Sequence, residues 1–234
     1  MLFLVAAVSA FAPIDPGATC GVDGIDETVE NDEYHHSFHA GYRTCASGLH
    51  ATAFGESSVA SGADATAAGK DTVASGNQST ATGHGTVASG TASTAMGRST
   101  EASGGSSLAT GYNTKATNDR STAMGSETEA SGYISLATGK ETKATGQYST
   151  AMGLETKATG ASSTAMGLDT EASGLTSLAT GYYTKATGTH STAMGKSTEA
   201  SGKHRPHRGD TQSLVGLRSY HHAAPPRQFM KGLL

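Results

Sequence analysis

The chain contains no tryptophan, and Phe and Tyr make up only 6% of its 234 residues. Proteins usually build their cores from large apolar and aromatic side chains, so this shortage excludes an ordinary globular interior. Cysteine is scarce too, with only Cys20 and Cys45 and no CxxC pair to hold zinc or cycle a dithiol. The one sustained apolar run, Met1 to Ala12, is too short to cross a bilayer, which takes about 20 apolar residues. Basic residues do not outnumber acidic ones: the formal net charge is −4, which argues against nucleic acid as a partner. No paired nucleophile and base and no phosphate-binding glycine loop is recognisable, so neither an enzyme nor a cofactor is expected.

What the chain has instead is a period. From Thr44 to His204 it repeats [Ser/Thr]-x-Ala-x-Gly-x-x in 23 consecutive heptads without insertion or deletion. Ala holds the third position throughout, from Ala46 to Ala200, and Gly the fifth except at Asn118. A heptad suggests a coiled coil, but its seam needs large apolar residues. Glycine in each heptad would also cost a helix about 1 kcal/mol. Collagen needs glycine at every third residue, and the calcium-binding nonapeptide β-helix has another period and a regular Asp. Disorder suits the composition, yet it gives no reason to keep Ala in register over 23 units.

The pattern predicts an all-β parallel β-roll, a β-solenoid. Each heptad would be a five-residue strand and a two-residue corner, with positions one, three and five turned inward. Glycine at position five would let the corner adopt φ > 0, with Asn118 as the tolerated substitute. Two heptads make a 14-residue coil with unlike outer faces. One face carries Thr94, Met96, Leu108, Thr122, Met124, Leu136, Thr150, Met152, Met166, Leu178 and Met194. The other carries Glu101, Lys115, Glu129, Lys143, Lys157, Glu171, Lys185 and Glu199, an alternation that slips once, at Lys143 and Lys157. Coils stacked at about 4.8 Å would set each Glu beside a Lys. A core of Ser, Ala and Gly buries little apolar area, and an apolar stripe along a whole sheet exceeds what monomers leave exposed. The Met/Leu face is therefore read as a self-association surface.

Paired repeats such as Ser-Thr-Ala-Met-Gly and Ser-Leu-Ala-Thr-Gly resemble the head repeats of YadA-like trimeric autotransporter adhesins. The resemblance covers 44–204 and implies a left-handed roll, three chains packed through one apolar sheet face, and adhesion to a host or matrix surface. The chain departs from the family in using Thr and Met where Asn-Ser-Val-Ala-Ile-Gly has bulkier aliphatics. Neither a coiled-coil stalk nor a membrane β-barrel anchor is legible after His204.

The flanks read differently. Residues 1–12 resemble a secretory signal ending in Ala10-Phe11-Ala12, although Ala-Phe-Ala-Pro also resembles a plastid presequence motif. Residues 13–43 form an acidic, His-containing cap segment, in which His35, His36 and His39 could gather a metal ion. A Cys20–Cys45 disulfide would suit a secreted chain and pin this segment across the open end of the roll. Asn77-Gln78-Ser79 is a glycosylation sequon at a corner. In the first coils Val59, Val73 and Val87 stand where Glu and Lys stand later, so either the association face shifts or another segment covers them. Residues 205–234 form a basic, Pro-containing tail in which Arg208-Gly209-Asp210 spells a cell-attachment tripeptide. The composite expectation is a secreted or cell-surface adhesive head. An ice-binding solenoid and a coat or matrix filler without a specific ligand are the alternatives.

Overall fold

A computed structural model of the chain describes residues 37–202 and 206–210. Over that range every regular element is a strand, and twenty-five strands, β1 to β25, alternate between two parallel sheets. The odd-numbered strands, from β1 (Phe38–Tyr42) to β25 (Pro206–Asp210), form a 13-stranded sheet of five-residue strands. The even-numbered strands, from β2 (Cys45–Ala46) to β24 (Glu199–Ala200), form a 12-stranded sheet whose strands are two residues long. Every strand pairs with the strand 14 residues away, as in Thr94↔Leu108↔Thr122. The chain is therefore a β-solenoid with 14-residue coils.

The two heptads of a coil are not equivalent, which corrects the expectation of two five-residue strands. In the long sheet the strand covers heptad positions two to six, as in Thr94–Arg98, one residue later than expected. In the short sheet only positions two and three pair, as in Glu101–Ala102. The interior is built from positions one and three. The Ala columns are 0–1% exposed, and Ser or Thr of position one is buried beside them, with Ala51 and Ala65 in that place in two early coils. Most of these hydroxyls, Ser149 and Thr156 among them, find no hydrogen-bond partner within the protein. Thr72 is an exception, donating to Ser58 Oγ at 2.8 Å, and Ser58 in turn donates to the Gly69 carbonyl at 3.0 Å.

Glycine at position five answers to contact between coils. A Cβ built on Gly139 would lie 1.9 Å from the carbonyl oxygen of Gly153, and Gly139 itself sits at φ +122° within its strand. In the short sheet the φ argument does not apply. Asn118 is not among the residues with positive φ, so the expected reason for its tolerance is corrected. Its column is glycine because coils touch there: a Cβ on Gly104 would meet the Asn118 carbonyl oxygen at 2.0 Å. At Asn118 the side chain supplies new bonds, with Nδ2 donating to Ser131 O at 3.1 Å and Oδ1 accepting from Asp119 N at 2.9 Å.

The left-handed backbone lies at position seven, which is almost never glycine. Every seventh residue from Arg43 to Ser197 has φ between 49° and 62°, including the β-branched Ile134 and Thr176, both at 52°. The ladder between coils imposes this conformation, since the position-seven N–H donates to the previous coil, as in Glu141 N to Ser126 O at 2.9 Å. A non-glycine residue in this region costs about 1–2 kcal/mol. Replacing Ile134 by Gly should therefore raise the unfolding free energy read from chemical denaturation, by about 0.5–1 kcal/mol after the added chain entropy of glycine. Gly139→Ala should lower it by several kcal/mol, and equal effects of the two changes would contradict this account.

Candidate interaction faces

The long sheet presents positions two and four outward from Thr52 to Met194, and none of these side chains is charged. All the residues expected on the association face lie here in one continuous register, from Thr94 and Met96 through Met194. Leu occupies column two and Met column four, so a large side chain is usually opposed by Thr, as in Leu108↔Thr94 and Thr110↔Met96. Large groups therefore interlock diagonally and the face stays level. Met152↔Met166 is the like-on-like exception among these residues. Met96 and Met124 remain 41% and 38% exposed. At the N-terminal end Phe54 is also exposed and packs its ring 5.0 Å from that of Phe38.

The short sheet bears the charged ladder. Glu101↔Lys115, Lys115↔Glu129 and Glu129↔Lys143 are direct neighbours, followed by Lys143↔Lys157. Two of the opposed pairs close into ion pairs, Lys143–Glu129 at 3.4 Å and Lys115–Glu101 at 4.0 Å. On the long sheet's edge Lys70 reaches Glu56 at 3.0 Å, and that hydrogen bond raises the lysine's pKa. These pairs are solvent-exposed and contribute little to stability individually.

The corners hold features that the repeat consensus hides, because they fall on its variable positions. Glu127, Glu141, Glu155 and Asp169 stack at 14-residue steps along one edge and share a groove with Lys115, Lys143 and Lys157. Reading positions six and seven at a spacing of 14, rather than 7, would have shown this column. Aromatic pairs mark other corners, with Tyr133–Tyr148 at 5.7 Å and Tyr182–Tyr183 at 4.3 Å, both edge-on. The bond between the latter two raises the Tyr183 pKa. Arg98 lies over the Tyr112 ring at 5.8 Å.

This constellation, a long sheet uncharged in columns two and four and backed by a charged short sheet on 14-residue coils, matches a known profile. That of the YadA head domain repeat, which spans two copies per match, fits at 46–72, 74–100, 102–128, 130–156, 144–170, 158–184, 172–198 and 186–204. The chain belongs to the YadA head repeat family. No curated protein matches it. The YadA head repeat is a structural, adhesin-type repeat, and the β-solenoid fits an adhesin-like head domain.

Other expected residues fall as follows in this YadA-type head. Cys45 is buried and disulfide-bonded, while Cys20 lies outside the described residues. Asn77 is exposed at a corner, its Oδ1 accepting from Ala63 N at 3.2 Å, but Ser79 of the same sequon is fully buried. His39 lies in β1 with Nδ1 3.3 Å from Thr44 Oγ1, and His35 and His36 lie outside the described residues. Among the described residues no group of His, Cys, Asp or Glu is placed to hold a metal, and no helix is long and apolar enough to cross a membrane. Arg208-Gly209-Asp210 falls within β25, in backbone register with Met194, Gly195 and Lys196.

The acidic column also accounts for the identity of residue 157. Between Lys143 and Glu171 either charge sign at this position creates one like pair. Lysine adds a cation to a groove whose other lining charges are five carboxylates and two lysines. Lys157→Glu should therefore lower the unfolding free energy by about 0.5 kcal/mol at low salt, with the loss shrinking in about 0.5 M salt. If opposed pairs alone mattered, the substitution would be neutral.

Proposed function

We propose that the protein is a secreted adhesive head whose chains self-associate through the long sheet, as trimers, and turn their charged short sheets outward. The observation that carries this reading is the uninterrupted run of uncharged side chains in columns two and four of the long sheet from Thr52 to Met194. At about 4.8 Å per coil and about 3.3 Å per residue, columns two to four measure roughly 50 by 10 Å, or about 500 Å². The interior cannot supply much hydrophobic stabilisation, since it buries Ala, Ser and Thr. Membership of the YadA head family supports the three-chain arrangement and a cell-surface or extracellular location.

In this reading residues 1–12 direct export and a Cys20–Cys45 disulfide closes the N-terminal end of the rod. Adhesion then uses what remains outside the interface: the Glu/Lys ladder, the corners with their acidic column and tyrosine pairs, and the segment around Arg208-Gly209-Asp210. No enzymatic step is invoked. The surface or matrix component bound would be one that meets a mixed-charge, aromatic-edged rod.

One observation favours ice binding as a second reading. Thr52, Thr66, Thr80 and Thr94 are consecutive neighbours on the long sheet. Only Thr80-Ala81-Thr82, however, presents two outward threonines on one long-sheet strand. Adhesion therefore takes precedence.

Light scattering on the mature chain should give a mass of three chains. Met124→Glu should reduce it to one chain with the β-type circular dichroism retained; a wild-type monomer at high concentration would defeat the interface. Ice crystals grown in the protein should stay unfaceted and show no thermal hysteresis, whereas faceting would move the long sheet from partner binding to ice.

A further inference from the structure

The chain holds seven methionines, and five of them, Met96, Met124, Met152, Met166 and Met194, stand in column four of the long sheet. The other two, Met1 and Met230, lie outside the described residues. None of the buried residues that line the interior is a methionine. Column two also points outward and also alternates with Thr, yet its large residues are Leu108, Leu136 and Leu178. Met and Leu exchange readily in packed surfaces, and strands favour neither over the other. What separates them is the thioether, which can be oxidised. Among the described residues that group is confined to one column of one face.

Column four runs along the middle of the long sheet. Column two flanks it on one side, and the edge column that holds Arg98, Lys140 and Lys196 flanks it on the other. In the single chain the sulfur column is open: Met96 and Met124 are exposed, and Met152, Met166 and Met194 are half-buried. Thr82, Thr110, Thr138 and Thr180 occupy the intervening coils, so each of the five has a threonine beside it. Across about 4.8 Å between coils, a threonine hydroxyl can donate to an oxygen added to the neighbouring sulfur. Oxidation therefore leaves the Ala, Ser and Thr interior untouched and the single chain folded.

We propose that column four is a site of methionine oxidation by hydroperoxides, and that this modification controls self-association of the head. The inference rests on association through the long sheet and adds its regulation. In each step a lone pair of the thioether sulfur attacks one peroxide oxygen. The O–O bond breaks, an S–O bond forms, and the proton on the transferred oxygen passes to the departing oxygen, which leaves as water or an alcohol. Sulfur is oxidised by two electrons and the peroxide is reduced by two. The sulfoxide oxygen then sits in the middle of a face that sheds water on association. A threonine satisfies one of its lone pairs, and the other loses its hydration. Five such groups, two of them adjacent at Met152↔Met166, oppose contact along the rod from Met96 onwards. Association in turn covers the sulfurs, so the oxidant acts on the free chain and bars its return.

The experiment dilutes the full chain to single molecules, treats it with hydrogen peroxide, reconcentrates it and measures its mass by light scattering, with peptide mapping of the added oxygens. The expected result is five sulfoxides in column four, a mass of one chain where untreated protein gives three, and unchanged β-type circular dichroism. The combined variant Met96→Leu, Met124→Leu, Met152→Leu, Met166→Leu and Met194→Leu should keep the three-chain mass through the same treatment. A three-chain mass with all five sulfurs oxidised would overturn the proposal, as would dissociation of the leucine variant. Met124→Gln, which sets one amide in the middle of the face without oxidant, should raise the chain concentration for half-assembly about tenfold; an unchanged concentration counts against the proposal. An untreated chain that stays single at high concentration removes the interface and its regulation together, whereas assembly that survives oxidation removes the regulation alone.

Discussion

The constraint on which the rest depends is the contact between successive glycines. At position five the backbone of one coil lies so close to the next that any Cβ would fall about 2 Å from a carbonyl oxygen. This fixes the coil at 14 residues, because one inserted residue would bring a side chain into the contact. It also holds both sheets level and narrow, leaving room inside for Ala, Ser and Thr alone. A core of that kind gains little from the hydrophobic effect, so cohesion comes from the backbone ladder, which continues through the corners as well as the strands. The buried, mostly unpartnered hydroxyls add cost rather than stability. A rod built this way benefits from covering its faces, as the self-association proposed for the long sheet would do.

The same constraint explains the strain at position seven. Once the ladder dictates φ near 53° at each corner, whichever residue lies there must adopt it. The strain is spread in small amounts over every corner, and the sequence at those positions is left free for surface chemistry. Serines, carboxylates, tyrosines and histidines stand where glycine would be more comfortable. Stability has been exchanged for a variable edge.

Much of this was legible in the residues themselves. Ala at the third position of each heptad, mostly with Ser or Thr two before it, named the interior, and the unlike outward pairs separated the two faces. What could not be read was the inequality of the two heptads. Ser-Thr-Ala-Met-Gly and Thr-Glu-Ala-Ser-Gly share the same small-residue frame, so five-residue and two-residue strands look alike in one dimension. The difference arises because a coil closes by a hydrogen-bonded turn at one corner only, as where Ser149 N meets Gly146 O at 3.1 Å. The role given to Asn118 failed for a related reason: glycine can be required by φ or by a neighbour's proximity, and the letter does not say which. The carboxylate column was hidden because its members are 14 residues apart at positions the consensus ignores.

The two faces also differ in how they tolerate growth. Along most of the rod, coils with Thr/Met outside and Glu on the short sheet alternate with coils carrying Leu/Thr and Lys. The coil 149–162 breaks this alternation on both sheets at once. On the long sheet the result is Met152 against Met166 and Leu154 against Leu168, apolar contacts that pack without penalty. On the short sheet the result is Lys143 against Lys157, a repulsion. An uncharged face accepts any number of coils, whereas a ladder of alternating sign prefers that coils be gained or lost in pairs. Columns two and four of the long sheet are thus suited to a contact that runs unbroken along the rod. The charged sheet, whose order is set coil by coil, is suited to facing solvent and whatever the head meets there.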